Sequence, residues 1–205
     1  MPGTIIRSFS TPGDEPSGLA FDGRSLWHCD LTSDLIYQID PATGTVIRSF
    51  SSPDSEPRGL AFDGRYLWLG GRNQAKLFQI DPATGTTIRS FSSPGGLPFG
   101  LAFDERALWV ADFSDSKIYQ VDPATGTIIR SFSTPGAGSR GIVFDGRCLW
   151  LQDSGTDLIY QIDPATGTII RSFSTPGSLP QGLAFDGRCL WAVDYSNKLI
   201  YQLSV

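Results

Sequence analysis

Several features that enzymes and membrane proteins commonly use are scarce in this sequence. The chain has one histidine and three cysteines, and charged residues make up 18% of it. No apolar run approaches the roughly 20 residues of a membrane-spanning helix, and no segment shows the apolar spacing of an amphipathic helix. The start lacks the basic, apolar and small-residue order of a secretion signal. We therefore expect a cytoplasmic protein without helices that does not bind membranes.

The few cysteines and the histidine lie at positions that indicate structural roles. Cys148 and Cys189 occupy the same place in neighbouring repeats, which should separate them by more than the ~7 Å that a disulfide permits between Cα atoms. An odd cysteine count without a framework predicts free thiols. His28 stands where the other repeats carry leucine, valine or alanine, so we interpret it as a packed core residue.

The net charge of −5 comes mainly from aspartates at recurring positions. One set follows a phenylalanine in the phrase FD, one opens the phrase DPATG, and one follows the tryptophan segments. Aspartate beside glycine or proline bonds its own backbone in turns. The acidity therefore reflects turn chemistry, and it predicts no nucleic-acid partner because nucleic acids bind basic surfaces.

A repeat of 41 residues runs through the whole chain. The phrase GLAFDG, or a close variant, begins at Gly18, Gly59, Gly100, Gly141 and Gly182. Five units account for all 205 residues, so we expect one domain over 1–205 with no linker or tail. The units are nearly identical even at surface positions, which indicates recent amplification or design from one parent unit.

Each unit has the pattern of four short strands. In the third unit the runs GLAFD, LWVAD, KIYQVD and TIIRSF are separated by segments rich in glycine, proline, aspartate and serine. Four antiparallel strands in about 40 residues is the size of one propeller blade. Bulky apolar residues fall on both faces of the middle strands, and stacking between two other blades would bury both faces. The sequence therefore predicts an all-β, five-bladed β-propeller.

The chain starts and ends in the middle of a unit. Val205 occupies the place of the proline in DPATG, and Met1, Pro2 and Gly3 continue the same register. We therefore expect the N-terminal strand TIIRSF to complete the last blade as its outermost strand. Closure of this kind leaves no free blade face, so we also expect a monomer.

One tryptophan and one phenylalanine recur at fixed places in every unit. The tryptophans are Trp27, Trp68, Trp109, Trp150 and Trp191. The phenylalanines are Phe21, Phe62, Phe103, Phe144 and Phe185. Repeated packing between blades requires one identical aromatic residue per unit, so we predict that both rings belong to the core.

The run GLAFDERALWVADFSDSKIYQVDPATG resembles the NHL and YVTN-type β-propeller repeats. The shared pattern is a glycine-led inner strand, an aromatic second strand that ends in aspartate, and a third strand rich in isoleucine and valine. The resemblance covers all five units and implies the fold, but a fold does not determine an activity. Five blades is fewer than the six or more that are common in that group.

The two faces of the predicted ring differ in variability. The turns FDGR and DPATGT on one face are almost constant, whereas the loops on the opposite face vary between units. The residues before the inner-strand glycines should surround the channel mouth on this variable face: Ser17, Arg58, Phe99, Arg140 and Gln181. Arg72, Phe113 and Tyr195 in neighbouring loops should widen that surface. This set predicts a site for a small polar or anionic ligand or a protein partner, although drift in tolerant loops explains the same variability.

The five mouth positions contain no aspartate, glutamate or histidine, which a metal-dependent propeller enzyme would need there. We therefore predict no catalytic residue, no metal and no cofactor, and a binding or structural scaffold rather than an enzyme. Two alternatives remain open. A lectin-like module would bind one glycan per blade through aromatic residues and aspartates. An enzyme similar to propeller cyclases or lyases would involve His28 and Asp30.

Overall fold

The structure, a computed structural model, describes residues 2–205 as twenty β-strands joined by turns. The strands form five four-stranded antiparallel sheets, and each sheet is one blade of a β-propeller. The predicted fold is therefore confirmed. Nowhere in residues 2–205 is there a helix long and apolar enough to cross a membrane.

Each blade contains an inner, a second, a third and an outer strand. The inner strands are β2 (Pro16–Phe21), β6 (Pro57–Phe62), β10 (Pro98–Phe103), β14 (Ser139–Phe144) and β18 (Pro180–Phe185). The second strands are β3 (Leu26–Asp30), β7 (Leu67–Gly71), β11 (Leu108–Asp112), β15 (Leu149–Asp153) and β19 (Cys189–Asp194). The third strands are β4 (Leu35–Ile39), β8 (Lys76–Ile80), β12 (Lys117–Val121), β16 (Leu158–Ile162) and β20 (Leu199–Ser204). The outer strands are β5 (Val46–Ser51), β9 (Thr87–Ser92), β13 (Ile128–Ser133), β17 (Ile169–Ser174) and β1 (Ile5–Ser10).

The ring closes through the N-terminal strand. β1 pairs antiparallel with β20, and the Cα partners include Phe9 with Ile200 and Ser8 with Tyr201. The order of the last sheet is β1-β20-β19-β18, so β1 is its outermost strand, as the register across the two ends predicts. Met1, which also belongs to that register, lies outside the described residues.

The apolar core lies between neighbouring blades. Trp109 and Ala111 of the third blade pack with Ile142, Leu149 and Leu151 of the fourth, and equivalent clusters fill the other junctions. All five tryptophans are at most 1% exposed, so their predicted core role is confirmed. Burial of the roughly 200 Å² of one tryptophan at about 25 cal/mol per Å² stabilises the fold by about 5 kcal/mol before entropy is counted.

A polar network borders each tryptophan on the constant face. In the first blade, Trp27 Nε1 donates to Asp22 Oδ2 at 2.8 Å, and Asp22 Oδ1 accepts the N–H of Ser25 at 2.6 Å. The guanidinium of Arg48 lies 5.4 Å from the centre of the Trp27 ring, and its Nε donates to Gln38. The FD aspartates therefore bond their own turns, as predicted, and they also satisfy the buried indole.

The glycines near the start of the inner strands let neighbouring blades approach each other at the channel. A Cβ atom on Gly100 would overlap the carbonyl oxygen of Arg140, and one on Gly18 would overlap that of Arg58. These clashes involve backbone atoms, so no side-chain rotation would relieve them. The glycines thus bring the residues that precede them close together around the axis.

The five phenylalanines that recur once per unit do more than fill the core. Each of the five side chains packs partly against a junction between blades. All five also line a chamber of about 90 Å³ where the inner strands end, near the constant face. The prediction that these five phenylalanines belong to the core is therefore incomplete, because their side chains also face the channel.

Candidate functional site

A cavity of about 330 Å³ lies at the channel mouth on the variable face. It is lined by Glu15, Leu31, Arg58, Arg140, Leu179, Gln181 and Tyr195. The inner strands contribute Arg58, Arg140 and Gln181, each directly before a channel glycine, whereas Tyr195 follows β19. Four of the eight predicted site residues therefore line one cavity.

Two phenylalanines support the two arginines of this cavity. The rings of Phe99 and Phe113 stack with their centres 5.2 Å apart. The Arg58 guanidinium lies 4.7 Å from the Phe99 ring centre, and the Arg140 guanidinium lies 4.8 Å from Phe99 and 4.7 Å from Phe113. Cation–π contacts of this kind hold the positive groups in place without neutralising them.

The cavity carries excess positive charge. Neither Arg58 nor Arg140 forms an ion pair within residues 2–205. Burial, and next the nearby charge of Arg58, lowers the pKa of Arg140 to about 10. Burial and the charge of Arg72 likewise lower the pKa of Arg58. Both groups still carry their protons at neutral pH, so the mouth favours an anionic or electron-rich ligand.

Two predicted site residues, Ser17 and Arg72, do not line the cavity. Arg72 Nη1 pairs with Glu56 Oε2 at 2.7 Å and does not line the cavity. Ser17 is 3% exposed, and its hydroxyl donates to the carbonyl oxygen of Arg58 at 3.4 Å. These residues lie beside the site, where they stabilise the surrounding loop and strand.

Glu15, which the sequence-based prediction does not include, adds a carboxylate to the cavity. The Tyr195 hydroxyl donates to Glu15 Oε1 at 3.3 Å across the junction between the last and the first blade. The N–H of Glu15 donates to Asp30 Oδ2 at 2.7 Å, which holds the loop in position. The sequence does contain this acid, in the variable loop GDEPS. The prediction missed it because it assigned to the mouth only the residue directly before each inner-strand glycine.

The aspartates that end the second strands are buried and fully engaged. Asp30 is 0% exposed, and its two oxygens accept the N–H groups of Glu15 and Ser33. Asp112, Asp153 and Asp194 accept N–H groups of their own loops in the same way. These carboxylates are therefore not free to bind a substrate. They are not free to bind a glycan either, although the lectin-like alternative requires aspartates that do so.

His28 is fully buried within the first blade, as its apolar position predicts. Its Nδ1 lies 3.0 Å from the carbonyl oxygen of Gly18 and must donate to it, which leaves Nε2 unprotonated and without a hydrogen-bond partner among residues 2–205. Burial lowers the pKa of His28 from 6.5 to about 4, against smaller opposing effects of the Gly18 carbonyl and Asp30. A buried neutral imidazole of this kind has no access to a substrate.

We expect His28 to make the fold sensitive to mild acid. The unfolded chain takes up a proton on His28 below about pH 6.5, whereas the folded chain does so only near pH 4. Stability is therefore complete above the unfolded pKa and is lost as the pH falls towards 4. Between pH 7 and pH 5 the free energy of unfolding should drop by roughly 2 kcal/mol through this group.

The variant His28→Leu tests this dependence, because leucine occupies the equivalent position in the second and fourth blades. Urea unfolding at pH 7, 6 and 5 should show a clearly smaller loss of stability in the variant than in the parent protein. Parallel losses in the two proteins would assign the acid sensitivity to other groups.

Comparison with known proteins confirms the fold at low sequence identity. The chain matches no protein-family model, and no curated protein is similar to it in sequence, so its membership of the NHL or YVTN families is not confirmed. Glutaminyl cyclase from Myxococcus xanthus matches 99% of this chain and 97% of its own, with a TM-score of 0.84 and 15% identity. Virginiamycin B lyase from Staphylococcus aureus matches 96% of this chain and 68% of its own, with a TM-score of 0.59 and 22% identity. Hydrazine synthase from Kuenenia stuttgartiensis matches 90% and 56%, with a TM-score of 0.58 and 19% identity.

These comparisons contradict the sequence-based prediction that the chain is not an enzyme. The three solved structures compared above, each of which matches 90% or more of the chain, are named as enzymes. The prediction depended on the absence of an acid from the mouth positions, and Glu15 in the same cavity removes that reason. At 15–22% identity the likeness shows the fold alone, and the choice of activity depends on the residues of the cavity.

Proposed function

We propose that the mouth cavity is the active site of an enzyme that cyclises an amino-terminal glutaminyl group. The free amine of the substrate attacks the carbonyl carbon of its own side-chain amide. A new C–N bond closes the ring, the bond from that carbon to the amide nitrogen breaks, and ammonia leaves. The observation that carries the proposal is a single cavity that holds a carboxylate, a phenol and two guanidinium groups.

Glu15 is the proton-transfer group of the proposed site. Its carboxylate accepts the proton that the attacking amine must lose, and it returns a proton to the departing ammonia. Tyr195, which donates to Glu15 Oε1 at 3.3 Å, orients the carboxylate. General acid–base transfer of this kind contributes about 10²–10⁴-fold to a rate.

Arg58 is the group that stabilises the oxygen of the reacting amide. That oxygen gains negative charge as the amine attacks, and a fixed cationic donor lowers the energy of this state more than that of the neutral amide. Arg58 Nε is buried and has no hydrogen-bond partner among residues 2–205. The contact with Phe99 keeps the guanidinium from turning away.

The similarity in fold supports this reaction over the alternatives. The cyclase matches along 97% of its own length, whereas the lyase and the synthase match along 68% and 56% of theirs. Ring closure at an amide needs a base and a group that stabilises an oxyanion, and both types of residue line the cavity. His28 and Asp30, which the cyclase-or-lyase alternative named, are buried and take no part in the proposed reaction.

We expect Glu15→Gln to lower kcat by about 100-fold or more on a short peptide with an amino-terminal glutamine. KM should change little, because the amide keeps the size of the carboxylate and still accepts the hydrogen bond from Tyr195. Release of ammonia and the mass of the cyclised peptide measure the reaction independently.

Glu56→Gln is the matched control, because Glu56 holds the equivalent position in the second blade, and neither Glu56 nor its partner Arg72 lines the cavity. It should leave turnover unchanged. Equal losses in the two variants would remove the role of Glu15. A parent protein that releases no ammonia from any amino-terminal glutamine peptide would overturn the proposed function.

A further inference from the structure

The charges of the mouth cavity do not balance. Among the residues that line it, Arg58 and Arg140 are positive and Glu15 is negative. The third nearby arginine, Arg72, is already paired with Glu56. If Glu15 and Arg58 serve the reacting amine and amide, Arg140 is left with no ion pair among residues 2–205. The carboxylate that acts on it, Asp153, is buried and bonded to the amides of its own loop. An unmatched guanidinium in a half-buried cavity favours an anionic group from a ligand.

Arg140 is also held more firmly than a solvent-exposed arginine. Its Nε donates to Ser154 Oγ at 3.1 Å, and its guanidinium lies against the rings of both Phe99 and Phe113. Of the donors of this group, Nε is the one engaged in a hydrogen bond within residues 2–205. The terminal NH₂ groups remain available to a ligand, and they have the geometry that binds a carboxylate through two parallel hydrogen bonds.

We infer that Arg140 determines specificity by binding a carboxylate on the residue that follows the amino-terminal glutamine of the substrate. This inference depends on the proposed cyclisation. The amine and the amide of the glutaminyl group are both consumed in the reaction, so the anionic group comes from the rest of the peptide, and the side chain of the next residue is its nearest source. The preferred substrates are therefore peptides whose second residue is glutamate or aspartate.

The test compares two peptides that differ in one functional group, Gln-Glu-Ala-amide and Gln-Gln-Ala-amide. The parent protein should show a kcat/KM about tenfold or more higher for the glutamate peptide, since a hydrogen bond to a charged group is worth about 1.5–3 kcal/mol. Arg140→Gln should remove this preference, so that its kcat/KM values for the two peptides become equal. Arg140→Lys, which retains the charge, should keep part of the preference.

A second measurement tests the same carboxylate contact without turnover. Calorimetry with the two cyclised product peptides should show tighter binding of the glutamate product to the parent protein and no such difference in Arg140→Gln. Arg147→Gln is the control for overall charge, because Arg147 is exposed in a turn on the constant face. This control should retain the preference in both measurements.

The outcomes separate this inference from the proposed function. Turnover of both peptides at equal kcat/KM would overturn the role of Arg140 and leave the cyclisation intact. No turnover, with selective binding of the glutamate product that disappears in Arg140→Gln, would support the carboxylate site and overturn the cyclisation. Equal binding and no turnover would overturn both.

Discussion

Deletion of residues 1–10 is expected to convert the protein from a closed ring into an unstable or oligomeric species. The last blade would then keep only β18, β19 and β20, because β1 is its outer strand. The freed edge of β20 would expose a row of unpaired N–H and C=O groups, which template pairing with another chain.

The side chains of β1 make the expected effect large. Phe9 lies 5.9 Å from the ring of Trp191, and the Arg7 guanidinium lies 5.2 Å from it. Arg7 also donates to Gln202 in its own blade and to the carbonyl oxygen of Ala42 in the next blade. Removal of one packed aromatic residue, this network and a strand ladder should cost about 5 kcal/mol or more, which is a fall of roughly 10–20 °C in Tm.

A permuted chain with residues 1–10 moved to follow Val205 is the matched control. It contains the same residues, and it joins β20 to the moved strand through a turn in the register of the other DPATG turns. Thermal melting and light scattering should show a monomer close to the parent in stability, whereas the deletion should melt early or associate. A deletion variant that stays monomeric with an unchanged Tm would contradict closure through β1.

Features that repeat along the chain could be predicted from the sequence, and features that arise between blades could not. The 41-residue period places each strand, and the tryptophan core follows because every blade meets its neighbour in the same way. Gln181 could be placed at the mouth by counting from a repeated glycine. Glu15 could not, because its position depends on a loop that differs in every blade and on Tyr195 from across a blade junction. The sequence likewise does not predict that Phe21 and its four equivalents face the channel, because this depends on how the five inner strands converge.

The second blade contains an exchange of residues that also becomes visible only in three dimensions. In the other four blades a glycine in the loop before the inner strand lies against the aspartate that ends the second strand, as Gly13 does against Asp30. The second blade has Asp54 in place of the glycine and Gly71 in place of the aspartate. A Cβ on Gly71 would lie 2.6 Å from Asp54 Cγ, so the two possible carboxylates would occupy the same space.

Asp54 also takes over the hydrogen bonds of the missing aspartate. Its Oδ1 accepts the N–H of Glu56 at 2.9 Å, and its Oδ2 accepts the N–H of Gln74 at 3.0 Å. These amides are one repeat of 41 residues after those of Glu15 and Ser33, which donate to Asp30 in the first blade. One carboxylate per blade therefore satisfies the same loop amides, and it reaches them from either of two positions in the chain.

The single variants Asp54→Gly and Gly71→Asp should each destabilise the protein, and the double variant should restore it. Without Asp54, partly buried loop amides lose a charged acceptor, at a cost of about 3 kcal/mol. With both aspartates present, two carboxylates compete for one space and one set of donors, which costs a similar amount. The double variant rebuilds the arrangement of the other blades, and its free energy of unfolding should lie within about 1 kcal/mol of the parent value.

Urea unfolding of the parent, the two single variants and the double variant measures the coupling between the two positions. With the costs given above it should reach about 5 kcal/mol, which is more than the roughly 0.5–3 kcal/mol usual for residues in contact. Ser55→Gly controls for the flexibility that an added glycine brings to this loop, because Ser55 is exposed; it should cost less than about 1 kcal/mol. If the effects of Asp54→Gly and Gly71→Asp simply add in the double variant, the two positions do not share one carboxylate site. Rescue by the double variant would show that the blade specifies the location of the charge in space rather than its place in the sequence.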